Sequence, residues 1–356
     1  MDSVADRTSA KHDMFCARKF VRDLIEIGGR IPCDRNNEVF KESYRLPKCY
    51  DADKWKRGQL FFHKHIWSMF FAKIMGLVTI LAVPDLAHVL KFTQMSDEPR
   101  VAYKRYLATV FHMNVWYNES FYPESKLWKS IEKVKLKHDS ASRRSRDATD
   151  VFISQKNMAL TQFGFMGFAV WKTETVGIYG AERRELEAFV HVWRIIGHLM
   201  GIEDRFNICR DSLEETQDIC EEIAERVFRP EMLAKRKDFL DLSSALLSGM
   251  WCMMPLLQHK VFIHVIATSL LTSTTKGGDS DNNNRRSHVQ APDFHLNAFE
   301  KVYARMVVLF MGLFRFDAFR IFHRYVMYGS LWLMEHFPFL AYYSFGRADS
   351  HIRILG

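Results

Sequence analysis

Apolar residues recur at spacings of three and four over most of the chain, and stretches that alternate apolar with polar β-branched positions are scarce. That period predicts helices near 12–27, 54–92, 98–113, 124–146, 155–171, 181–201, 211–227, 231–249, 251–272, 293–314 and 316–335. The fold class that follows is all-α, a single large helical domain. Its expected parts are an N-terminal helical extension (1–54), a core (55–272), a flexible loop (273–290) and C-terminal helices packing on the core (291–356). The loop is read from Thr272 to Ser287, which is polar and rich in Gly and Asn between two apolar segments.

Two segments approach the length of a membrane span. Ile66 to Val83 is interrupted by Lys73 and followed by Pro84, and Tyr303 to Phe314 is too short for the roughly 20 apolar residues a span requires. Both read as core helices, with peripheral attachment to a membrane left open. The first thirty residues mix charges throughout and carry no secretory signal, so the expected location is cytoplasmic.

Composition changes this picture in one respect. The 356 residues include 29 Phe, 17 Met and 8 Trp against 9 Pro, a supply of large adaptable side chains suited to walling an apolar cavity. The six cysteines form no Cys-x-x-Cys pair and read as free thiols in a reducing compartment. Charge is uneven: Lys126 to Arg146 holds eight basic and two acidic residues, and Glu203 to Glu225 nine acidic and two basic. Such blocks are ordinarily solvated helix faces, and without a nucleic-acid motif no nucleic-acid partner is expected.

Phosphate loops, zinc-protease and serine-hydrolase motifs and the paired Glu-x-x-His of di-iron bundles are absent, which leaves histidine. On a helix over Ala181 to Ile202, Phe189, Trp193, Ile196 and Met200 share one side, and His191, Arg194 and His198 fall roughly opposite. Gly197 and Gly201 flank His198 and invite a close approach, by a haem plane or by a tightly packed neighbouring helix. His138 sits on a mostly apolar face with Ile131, Val134 and Ala141 and reads as a core residue or a ligand. His63 and His65 point apart on a helix and are read as surface residues.

The block from Trp193 to Ile202 (WRIIGHLMGI) resembles the signature of the rubber oxygenases, or latex-clearing proteins, and of relatives typified by the ER-bound oxygenase of mycophenolic acid biosynthesis. Lys104 to Thr109, Val134 to His138 and Met158 to Phe165 fit the same family in order. The resemblance implies an all-α fold holding one b-type haem, with the iron ligand on His198, neighboured by Gly197 and Gly201, and His191 next in line. It aligns the family's distal Arg, Lys and Thr with Lys135, His138 and Asp139, so that His138 would gate oxygen or ligate iron as a second axial group, and Lys135 or Asp139 would handle protons. Arg194 or Arg105 would hold a haem propionate, with Thr109 and Gln162 also at the cofactor. The implied reaction is cleavage of a carbon–carbon double bond in an isoprenoid or unsaturated lipid by O₂, at a peripheral site on the endoplasmic reticulum. Two alternatives stay open: a non-catalytic bis-histidine haem protein, and a haem-free helical lipid-binding protein.

Overall fold

A computed structural model describes residues 15–35, 45–255, 257–271 and 294–355, so the loop expected over 273–290 lies outside the described residues. The longer helices are α1 (Ala17–Glu26), α2 (Ala52–Lys64), α3 (Ile66–Ile80), α4 (Pro84–Phe92), α5 (Pro99–Asn118), α6 (Lys126–Thr149), α7 (Gln155–Trp171), α8 (Arg183–Leu199), α9 (Leu213–Ile223), α10 (Lys237–Met250), α11 (His259–Leu271), α12 (Ala298–Gly312) and α13 (Asp317–His336). Among the described residues there is no strand, only one isolated bridge between Pro32 and Ser154. The architecture is all-α.

Local chemistry explains most boundaries. Ser125 caps α6 by accepting the Trp128 amide, and Ser154 with Asn157 closes a capping box on α7. The single helix expected over 54–92 is three. His65 leaves helical geometry at φ −117° and ψ 27°, and Pro84, which cannot continue a helix but suits its first turn, restarts the chain at 92° to α3. Among the described residues no single helix is long and apolar enough to cross a membrane; the bent α3–α4 pair passes by composition only, and nearly all of α3 is buried in the protein.

Helix α3 runs through the centre and crosses α7 at a pair of glycines. A Cβ on Gly76 would stand 2.0 Å from the Gly164 carbonyl oxygen, so the two backbones touch. Helix α5 packs on α10 and α6, α8 packs on α2 and α7, and α12–α13 sit on the far side of α3 through Trp67, Phe310 and Phe314.

Candidate active site

Between α5, α6, α7, α8 and the α3–α4 bend lies a cavity of about 910 Å³. Helix α5 presents a single stripe to it: Arg105, Ala108, Thr109, His112 and Trp116. Helix α6 contributes Val134, His138 and Ala141, α7 Met158, Gln162 and Phe165, and α8 Trp193, Ile196, Gly197 and Met200. Leu77, Ile80, Leu86 and Val89 close the apolar side. Exposed Lys129, Lys133, Lys137 and Arg144 of α6 border the cavity, so part of the basic block expected to be simply solvated rings its edge.

Two imidazole nitrogens in this wall lack the partners that burial ordinarily demands. The buried Nδ1 of His138 has no hydrogen-bond partner, and burial, then Arg105, Lys135 and Lys137, push its pKa down to about 4. At neutral pH the ring is therefore an uncharged imidazole. His112 is held by Ser130: the rings of His112 and Trp116 both meet the Ser130 hydroxyl, at 2.7 and 2.8 Å. The indole donates to the hydroxyl, whose second lone pair or proton meets His112 Nδ1, and the buried Nε2 has no hydrogen-bond partner. Burial and the charges of Lys137 and Lys133 hold its pKa down to about 4. Arg105 makes no ion pair with any described residue, and burial pushes its pKa down. Such a guanidinium suits an anionic ligand group.

Several residues singled out in the sequence, His198 among them, lie outside the wall of this cavity. The cavity faces the Trp193–Ile196–Met200 side of α8, and His198 points to the opposite side, where Asp204 and Arg194 are its charged neighbours. His191 is on that side too and accepts the Asp51 amide at 3.1 Å. Arg194 is committed to Asp211 and Asp204. Lys135 and Asp139, expected to handle protons at the iron, form a buried ion pair of 2.7 and 2.8 Å outside the cavity wall.

The glycines are explained by neighbouring side chains. A Cβ on Gly197 would meet Gln162 Nε2 at 2.5 Å, and that amide donates to the Trp193 carbonyl and to Asn207. Gln162 thus lines the cavity with its polar atoms already engaged. Gly201 is not inside the helix. It ends it, at φ +88°, with the Ile202 amide returning to the Gly197 carbonyl at 3.0 Å, and a side chain there would strike Lys135. Of the predicted site residues, Arg105, Thr109, His138, Gln162 and Gly197 come together; Thr109 spends its hydroxyl on the Arg105 carbonyl. His112 was missed, although its spacing of three and seven from Thr109 and Arg105 places it on their face. His65 also departs from expectation, being buried with both ring nitrogens unpaired.

The site is thus an apolar chamber with two neutral imidazoles and one unpaired guanidinium. Among the described residues no three His, Cys, Asp or Glu side chains converge on a point, so a metal here would need ligands that are not protein. Residues 62–275, more than half of the chain, match the family described as ER-bound oxygenase mpaB/B′ and rubber oxygenase, catalytic domain, and the chain belongs to that family. A solved structure titled latex clearing protein in the closed state has a similar fold, with a TM-score of 0.51 and 14% identity over 82% of this chain and 88% of that one. No curated protein matches the sequence.

Proposed function

We propose that this protein is a haem-dependent oxygenase that cleaves carbon–carbon double bonds of an isoprenoid or similar unsaturated lipid, with the α5–α8 cavity as the haem site and His138 as the residue that would hold its iron. The observation that carries the reading is the uncharged, unpaired His138 imidazole on the wall of a chamber of about 910 Å³. The donor set fits a haem: one imidazole for iron, and Arg105, without a carboxylate of its own, for a propionate. Haem supplies the reaction with dioxygen. The chain's own groups do the rest. His138 would hold the cofactor, Leu77, Ile80, Val89 and Phe165 exclude water and accept an apolar chain, and His112, fixed by Ser130, stands as a neutral imidazole in the same wall.

A second reading has its own support. His112 and His138 line the same cavity, both neutral, and a haem gripped by both would be a redox carrier or sensor. The absorbance spectrum of purified protein, before and after dithionite, separates the cases. A Soret band lost in His138→Ala and kept in His198→Ala is expected; the reverse pattern overturns the cavity assignment, and a colourless wild type loaded with haem in vitro to no effect overturns haem dependence. Ferrous protein supplied with O₂ and polyprenyl substrates should yield aldehyde and ketone fragments by mass spectrometry. A six-coordinate spectrum indifferent to CO, with no products even from His112→Ala, favours the bis-histidine protein.

A further inference from the structure

Helices α12 and α13 expose apolar side chains along their length. On α12 and the residue that follows it, Phe299, Val302, Met306, Leu309 and Leu313 follow spacings of three, four, three and four and so form one outward stripe, Phe299 being 71% and Leu309 70% exposed. On α13, Phe322, Tyr325, Tyr328 and Trp332 recur at three, three and four, with Ile321 exposed beside them. The inner sides are apolar as well: Met311, Phe314, Met327 and Leu331 are buried in the core, and Phe310 locks the two helices together against Phe319 and His323 at ring distances of 5.4 and 5.2 Å. A helix apolar on both sides ordinarily has both covered. The stripe continues in Phe337, Phe339 and Tyr343, making a patch far beyond scattered surface residues.

Charge selects what covers it. Lys301, Arg305, Arg315 and Arg324 stand among these residues, and the acidic residue of α12, Glu300, is buried in the capping box with Asn297. Asp317 is paired with Arg320. A second copy of the chain would set these cations against their own equivalents, whereas a layer of lipid phosphates complements them. Phe, Tyr and Trp beside Arg and Lys are the residues that settle at the boundary of headgroups and acyl chains.

We propose that the α12–α13 face lies on the surface of a bilayer containing anionic lipid, its aromatic stripe at the headgroup level and Lys301, Arg305, Arg315 and Arg324 against lipid phosphates. The test is flotation of the full chain with phosphatidylcholine vesicles, with and without phosphatidylserine. The chain should rise with the vesicles, more with the anionic lipid and less at high salt. A variant with Phe299→Ser, Leu309→Ser, Phe322→Ser and Trp332→Ser should lose at least tenfold in the bound fraction at unchanged helical circular dichroism, and Lys301→Glu with Arg305→Glu should lose the preference for anionic lipid. If the fourfold variant misfolds, quenching of wild-type fluorescence by brominated lipid, compared with Trp332→Phe, reports contact at α13 directly. A wild type that stays at the bottom of the gradient with both vesicle types overturns the proposal, as does a dimer in light scattering that the serine variant dissociates without any change in lipid binding.

Discussion

Lys135 and Asp139 show how a local pattern leaves a side chain's role undetermined. An i, i+4 pair on a basic helix looks the same in sequence whether it turns toward a reaction centre or into packing. What decides it is Gly201, whose missing side chain leaves room for the Lys135 ammonium, and the neighbouring Cys33, whose thiol is pushed up to about 12 by burial first and Asp139 second. Removing one member of a buried pair leaves the other charge uncompensated, at a cost of about 3–5 kcal/mol. Lys135→Met should therefore lower stability in urea unfolding by that order, and Lys135→Met with Asp139→Leu should recover most of it. A Lys135→Met protein of unchanged stability would refute the packing role. Protonation acts at the same scale. Burial holds His138 and His112 at about 4 and His65 at about 3, below their ordinary 6.5, so the unfolded chain binds more protons than the native one below pH 6.5. Stability should then decline as pH falls from about 6.5 toward 4, and His65→Phe, which removes one of the three, should flatten melting temperature against pH. A melting temperature that is level, or rises, between pH 7.5 and 5 would contradict these burials.

Helices were legible where a polar residue begins them. Ser154 ahead of an apolar run fixed α7 to Gln155–Trp171, as the period predicted. The break at His65 was not legible, because the residues on both sides continue an apolar pattern and only tertiary packing turns the chain there. Nor could the sequence tell which side of α12 meets the core, since both sides are apolar. Contacts between helices are where small residues matter most. With its added Cβ only 2.0 Å from the Gly164 oxygen, Gly76→Ala must push α3 and α7 apart, at a cost of about 3 kcal/mol or more. Gly164→Ala meets Ile80 at 3.1 Å and the Gly76 oxygen at 3.3 Å, so it should cost less. Chemical denaturation of the two variants checks the order, and equal losses would mean that the crossing is looser than its backbone contact implies.

The cavity is a property of the whole molecule, because segments from Leu77 to Arg353 wall it and no one of them contains it. The abundance of Phe and Met announced an apolar chamber without locating it. The helical period separates the Trp193–Ile196–Met200 side of α8 from the His198 side, and the cavity lies on the first of these. If haem fills this chamber, its binding must stabilise the entire fold by mass action, by about 2.7 kcal/mol at a free concentration of 100 times Kd. Melting temperature should thus climb with added haem in wild type and in His198→Ala, and far less in His138→Ala. Ala108, on the α5 stripe between Arg105 and Thr109, offers a control that leaves every proposed ligand in place. Ala108→Trp puts an indole into the open chamber and touches no buried hydrogen bond, so the haem-free protein should melt within a few degrees of wild type. It should also lose both the Soret band and the haem-dependent rise in melting temperature. A variant that keeps its fold and gains as much stability from haem as wild type would place the cofactor outside the α5–α8 chamber.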